Sequence, residues 1–241
     1  MIVASDEQAS DERRLFLQRL SALGLAGALG WEREALAQGE RAPGIYRVRG
    51  TVRVNGKAAR RGMLVKPGDT VETGRGSQAV FVMGKDAFLL RASSRIETGF
   101  TAAPAQNAGT ADNAFADLLR LTSGKLLSVF SPGARRLETT TATIGIRGTG
   151  LYVEVEPRRT YACTCYGEVE LQPRDRPEEK ETVSTTHHEQ PRFIYADGAM
   201  PPGSMMQKAP VLNHTDAELT LLESLVGRKP PFEGQGGYPY K

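Results

Sequence analysis

The chain holds two cysteines and three histidines, all in its last third: Cys163-Thr164-Cys165, then His187-His188, then His214. Thiolates and imidazoles are the standard ligands of zinc and copper. Two cysteines two positions apart share a face of an extended strand, with Cα atoms about 6.6 Å apart. That is the edge of what a disulfide spans, so a bridge there needs a local bend. Two thiolates on one strand face can instead converge on a single ion at about 2.3 Å each. His187 and His188 point to opposite faces if extended, so one of them is available to the thiols. The candidate metal ligands are therefore Cys163, Cys165, His187, His188 and His214, for a transition-metal ion, zinc or copper. Met205 and Met206 add thioethers nearby in sequence, which would suit Cu(I). On the plainer reading, Cys163 and Cys165 are small buried hydrophobes and the histidine pair belongs to a polar surface loop.

Other chemistries find less support. No Cys-x-x-Cys-His occurs, which excludes covalent c-type haem attachment. The Cys-x-Cys pair could run thiol–disulfide exchange, so a thiol–disulfide oxidoreductase using Cys163 and Cys165 is the competing reading. Nothing beside it reads as the helix N-terminus that would lower a thiol pKa. Gly74-Arg75-Gly76 lacks the Gly-Lys-Ser/Thr of a phosphate loop. Glu168 and Glu170 share one strand face, as solvent-facing residues do, and Asp197-Gly198 reads as a turn. The expectation is a non-catalytic protein with no catalytic residue assigned.

The elements that must position these residues are mostly strands. From Ile45 the chain alternates in period 2, with Asn55-Gly56 a strong hairpin signal. Further strands are expected at 70–73, 78–83, 86–91, 125–130, 138–146, 150–156, 160–166, 168–172, 182–186 and 192–195. Phe115 to Leu121 reads as a short helical turn, and 101–114 as a small, polar loop. Thr215 with Glu218 three residues on is a capping box. It opens a helix whose apolar face is Leu219, Leu222, Leu225 and Val226, and Gly227 stops it. The fold class is mainly β: stacked hairpins forming a β-solenoid-like roll or sandwich, with one short C-terminal helix.

Three segments carry a family resemblance. Pro67-Gly68-Asp69-Thr70-Val71-Glu72-Thr73, Leu121-Thr122-Ser123-Gly124-Lys125-Leu126 and Ile144-Gly145-Ile146-Arg147-Gly148-Thr149-Gly150 together resemble the FecR domain, over about Tyr46 to Leu171. The resemblance implies a periplasmic β-rich module that senses, binds or scaffolds. The best-known members carry a cytoplasmic anti-sigma segment before a membrane span. Here about a dozen residues precede the export segment, so direct contact with a sigma factor is not expected. For Gly145 to Gly150 the residues themselves suggest a structural bend fixed by Arg147, ahead of an anion site.

Arg13-Arg14-Leu15-Phe16, an apolar run from Leu20 to Gly30, and Ala35-Leu36-Ala37 resemble a twin-arginine export signal cleaved after Ala37. The run is short of the roughly 20 apolar residues of a membrane span. The expected layout is an export signal at 1–37, a linker at 38–44 and a FecR-like β domain at 45–172. A C-terminal extension with the histidine pair and helix then occupies 173–227, and a flexible tail 228–241. Cleavage removes four basic and six acidic residues, leaving a net charge of about +5. Basic residues are dispersed without an aromatic array, so nucleic acid is not an expected partner. No transmembrane segment is expected in the mature chain, and its partner is expected to be an envelope or periplasmic protein.

Overall fold

The computed structural model describes residues 42–99, 118–199 and 203–234. The export signal at 1–37, the loop at 101–114 and most of the 38–44 linker lie outside these residues. In chain order the strands are β1 (Gly44–Arg49), β2 (Val52–Val54), β3 (Lys57–Ala58), β4 (Thr70–Thr73), β5 (Gln78–Met83), β6 (Asp86–Leu90), β7 (Arg95–Thr98) and β8 (Leu118–Val129). Then follow β9 (Ala134–Glu138), β10 (Ala142–Arg147), β11 (Gly150–Glu156), β12 (Arg159–Pro173), β13 (Glu181–Thr185), β14 (Arg192–Tyr195) and β15 (Met206–Lys208). One helix, α1 (Asp216–Leu225), follows the last strand. The expected mainly β fold with one C-terminal helix is what the structure shows.

The strands form two layers. One runs β1-β5-β6-β8-β11-β12-β14-β15, all antiparallel. The other runs β3-β2-β4-β7-β8-β9-β10-β12-β13, with β8 and β9 parallel. β8 and β12 belong to both layers, crossing from one to the other partway along. Glycines make both crossings possible. At Gly124 (φ +84°) a Cβ would lie 2.0 Å from Ser94 Oγ, and at Gly167 (φ +87°) it would lie 2.6 Å from the Gly148 carbonyl oxygen. Only glycine tolerates that backbone and that approach together.

The alternation within the first layer decides where the cysteines go. Phe81, Phe88, Leu90, Leu126, Leu151 and Val153 point between the layers, where they meet Val71, Ile96, Leu121, Leu137 and Ile144 of the second layer. Their neighbours Val80, Val82, Leu89, Leu127, Tyr152, Tyr161, Cys163 and Cys165 point to the outer face. That face would be an exposed apolar surface, but Leu219, Leu222, Leu225, Val226 and Phe232 cover it. Each such side chain removed from water contributes about 1.5–3 kcal/mol, which holds α1 on the sheet. Buried on both faces, β5 and β6 read as unbroken apolar runs for this reason.

Several local expectations need correction. Leu118 to Leu121 are strand, not helix: Leu119 and Leu121 alternate into the inner core, and Arg120 pairs with Glu138 at 3.0 Å across β9. Tertiary pairing has overridden local propensity there. The expected strand 138–146 is broken at Thr139–Thr141. Thr139 Oγ1 accepts the Ala142 amide at 2.9 Å, giving the backbone a turn instead of a ladder partner. The strands expected at 160–166 and 168–172 are one strand bent at Gly167, and β7 and β15 were not anticipated. The tail is packed as far as Phe232, which is buried against Tyr166 and His187.

The three segments Pro67 to Thr73, Leu121 to Leu126 and Ile144 to Gly150 serve as joints. Asp69 accepts the Lys66 amide at 2.8 Å and the Asn55 side-chain amide at 2.7 Å, tying the turn before β4 to the β2–β3 hairpin. Gly124 is a layer crossing, and Arg147 reaches Glu168 at 3.5 Å beside the other crossing. Thr149 Oγ1 donates to the Tyr166 carbonyl there.

Candidate metal centre

Cys163 and Cys165 lie on the outer face of β12, both free and fully buried. Two segments bring the other groups over them. The β13–β14 connection supplies His188, whose amide donates to the Cys165 carbonyl at 2.9 Å. Its backbone is left-handed, φ +56°, a conformation uncommon for a residue with a side chain. The segment entering α1 supplies His214, directly after Asn213, which is also left-handed at φ +59°. Backbone held this way is stored where the surroundings demand it, often at functional sites. Asn213 is pinned by its side-chain amide donating to Glu154 at 2.7 Å.

The four side chains converge. Cys163 Sγ lies 3.5 Å from His188 Nδ1, and His188 Nδ1 lies 3.0 Å from His214 Nε2. One ligand atom from each of Cys163, Cys165, His188 and His214 lies within 4.8 Å of every other, and all four residues are buried. A tetrahedral zinc-type ion with ordinary arms has S···N edges of about 3.5 Å and N···N edges of about 3.3 Å. The 3.5 Å between Cys163 and His188 equals that S···N edge, and the 3.0 Å between the two imidazole nitrogens is somewhat shorter than the N···N edge.

The outer nitrogens of both imidazoles fix which lone pairs point inward. His214 Nδ1 donates to the Leu212 carbonyl at 2.6 Å, because a carbonyl can only accept. His188 Nε2 donates to Asp216 Oδ1 at 2.9 Å. In their neutral forms both rings then aim an unprotonated nitrogen at the same point, a contact that only a cation between them relieves. A metal ion supplies that cation, and so does a proton. Carboxylate–imidazole pairs of this kind orient metal-binding histidines elsewhere. Tyr152 backs the site, its ring stacked on His214 at 4.5 Å between centroids.

The electrostatics point the same way. Burial pushes the Cys163 thiol up, but hydrogen bonds from Cys165, His188 and His214 outweigh it and hold the thiol well below its ordinary value. Burial pushes His188 down, yet the contacts with Cys163 and Asp216 raise it above the ordinary imidazole. Cys165 goes the other way, raised by burial and by the neighbouring Cys163. Both shifts run toward a thiolate at Cys163 beside a protonated His188.

Of the residues singled out by type, four meet and His187 stands one position aside. Its Nε2 contacts Asp216 Oδ2 at 3.0 Å and its ring stacks on Phe232 at 4.6 Å. His187, His188 and Asp216 also converge as a set, through ordinary imidazole–carboxylate hydrogen bonds. Met206 packs against the inner core, away from the cluster holding the thiols. Sequence reasoning missed Asp216, Asn213 and Glu154. Asp216 had the only visible signal, an acid in the first turn of a capped helix.

Cys163, His188 and Asp216 have the order of a nucleophile, base and orienting acid. Cys163 and His188 are fully buried, which shields the sulfur from solvent in this arrangement.

No protein-family model matches the chain, and no curated protein does. Two crystal structures of a candidate anti-sigma factor from Parabacteroides distasonis ATCC 8503 resemble it, at 14% and 13% identity and TM-scores of 0.43 and 0.42. Each match covers 58% of this chain and 58% of that one, so the chain spans under two thirds of their length. A likeness of this size fixes neither an activity nor a partner.

Proposed function

We propose that the chain is an exported, non-catalytic sensing or scaffold module of FecR type, carrying one transition-metal ion at Cys163, Cys165, His188 and His214. The observation that carries the metal reading is the convergence of two thiols and two inward-facing imidazole nitrogens in a fully buried space. Such a closed four-ligand set leaves no open position for a substrate, as in structural zinc sites. The ion would tie β12, the β13–β14 connection and the entry to α1 together. A Cys2His2 set suits zinc, and its two thiolates also suit Cu(I). The resemblance of residues 1–37 to an export signal and of three segments to the FecR domain supports a periplasmic location with an envelope protein as partner.

Titration of the reduced protein with Co(II) tests the site. Intense visible bands of tetrahedral cobalt and sulfur-to-cobalt charge transfer are expected, and zinc should abolish them. Weak, octahedral-type bands would count against the four-ligand set.

One observation favours the oxidoreductase reading: the lowered Cys163 thiol beside an imidazole is the nucleophile such exchange needs. Burial of both sulfurs opposes it. Dithiol exchange by the wild type that disappears in Cys165→Ser would establish it.

A further inference from the structure

One side of the sandwich is closed by a stretch of chain rich in basic residues. Between Ala42 and Gly68 the chain has seven basic residues and no acidic one. β1 is the last strand of one layer and β3 the last strand of the other. The segment after β3 bridges these two edges: the Ala59 amide donates to the Val52 carbonyl, and the Gly62 amide to the Ile45 carbonyl. β1, the β2–β3 hairpin and this bridge therefore close one side of the protein. In and directly after these segments Arg49, Arg53, Lys57, Arg60, Arg61 and Lys66 are all exposed, with Arg53 opposite Glu72 in the β2–β4 register. Nearby, Asp69 is engaged by the Asn55 amide and the Lys66 backbone, and Glu72 pairs with Arg95.

Charge on edge strands also keeps other strands from pairing with them. That accounts for Arg49, Arg53 and Lys57, but not for Arg60, Arg61 and Lys66, which lie in the bridging segment. Leu64 sits in that same segment and is 52% exposed, the one large hydrophobic so exposed among the described residues. Basic side chains around a protruding apolar one suit an anionic lipid surface, where headgroups meet the charges and the leucine enters the acyl boundary. A soluble polyanion would use the charges and leave the leucine without a role.

We propose that this basic edge docks on membranes containing anionic lipids. The proposal does not depend on the metal site. The full chain should sediment with vesicles containing phosphatidylglycerol and not with pure phosphatidylcholine vesicles, and added salt should release it. Reversing Arg49, Arg53 and Lys57 to Glu should weaken binding by more than about tenfold. The milder Arg60→Gln/Arg61→Gln pair serves if that reversal fails to fold. Leu64→Ser should weaken lipid binding while leaving retention on heparin unchanged. Equal binding to neutral vesicles assigns attachment to the apolar N-terminal run and overturns the proposal. So does tight heparin binding without any vesicle binding, or indifference of anionic-vesicle binding to the charge variants.

Discussion

At the scale of single residues, the inner geometry is set by groups that would not touch an ion. Asp216 holds the His188 tautomer, so Asp216→Asn should lower metal affinity by about 10- to 100-fold with little loss of folded structure. Competition against a chelator reads the affinity, and circular dichroism checks the fold. Unchanged affinity in a well-folded variant would show that the His188 orientation has another source. Glu154 acts one step further out, accepting from Asn213 and Tyr152 and pairing with Lys125 at 3.0 Å. Burial pushes its carboxyl up, but these three contacts outweigh burial and lower it. A carboxylate depressed on folding contributes stability above its unfolded pKa and loses it as pH falls through the folded value. Glu154→Gln should therefore destabilise by about 1.5–3 kcal/mol at neutral pH, and the difference from wild type should shrink below about pH 4. Urea unfolding across pH measures it.

At the scale of elements, α1 is the cover of the site and the clearest case of local sequence deciding structure. Thr215 caps it at φ −130°, and Glu218 returns the bond to the Thr215 amide at 2.9 Å. Arg91 Nη2, one residue past β6, also donates to both Glu218 carboxylate oxygens at 2.8 and 2.9 Å, so the cap fastens the helix to the end of β6 as well. Thr215→Ala should cost about 1 kcal/mol, whereas Leu222→Ala, which opens a cavity against the outer face, should cost about 2–5 kcal/mol. Denaturant midpoints compare the two, and a smaller loss for Leu222 would mean that α1 packs less tightly than described. The helix and the β2–β3 hairpin were legible because capping and turn chemistry are local. β8 was not: its first half is a strand only because β7 and β9 lie on either side of it. The bends of β8 and β12 were equally hidden, since nothing local at Gly124 and Gly167 says that a strand crosses there from one layer to the other.

At the scale of the whole molecule, the cysteine spacing was informative because period 2 puts both thiols on one face wherever β12 lies. It could not say that the face is an outer one sealed by a helix some fifty residues later. His214 was recognisable only by type, and Asp216 only as an acid in the first turn of a capped helix, because their roles at the site arise from the docking of α1. The export reading is tested separately: periplasmic protein should begin at Gln38, and changing Arg13 and Arg14 to Lys should trap the precursor. Normal export of that variant would remove the twin-arginine part. The central claim is the metal centre, and the most direct test is elemental analysis of untagged protein purified under reducing conditions. One zinc or copper ion per chain is predicted in the wild type, with the content lost in Cys163→Ser. Wild-type protein that holds no metal and takes up neither zinc nor Cu(I) would contradict the account.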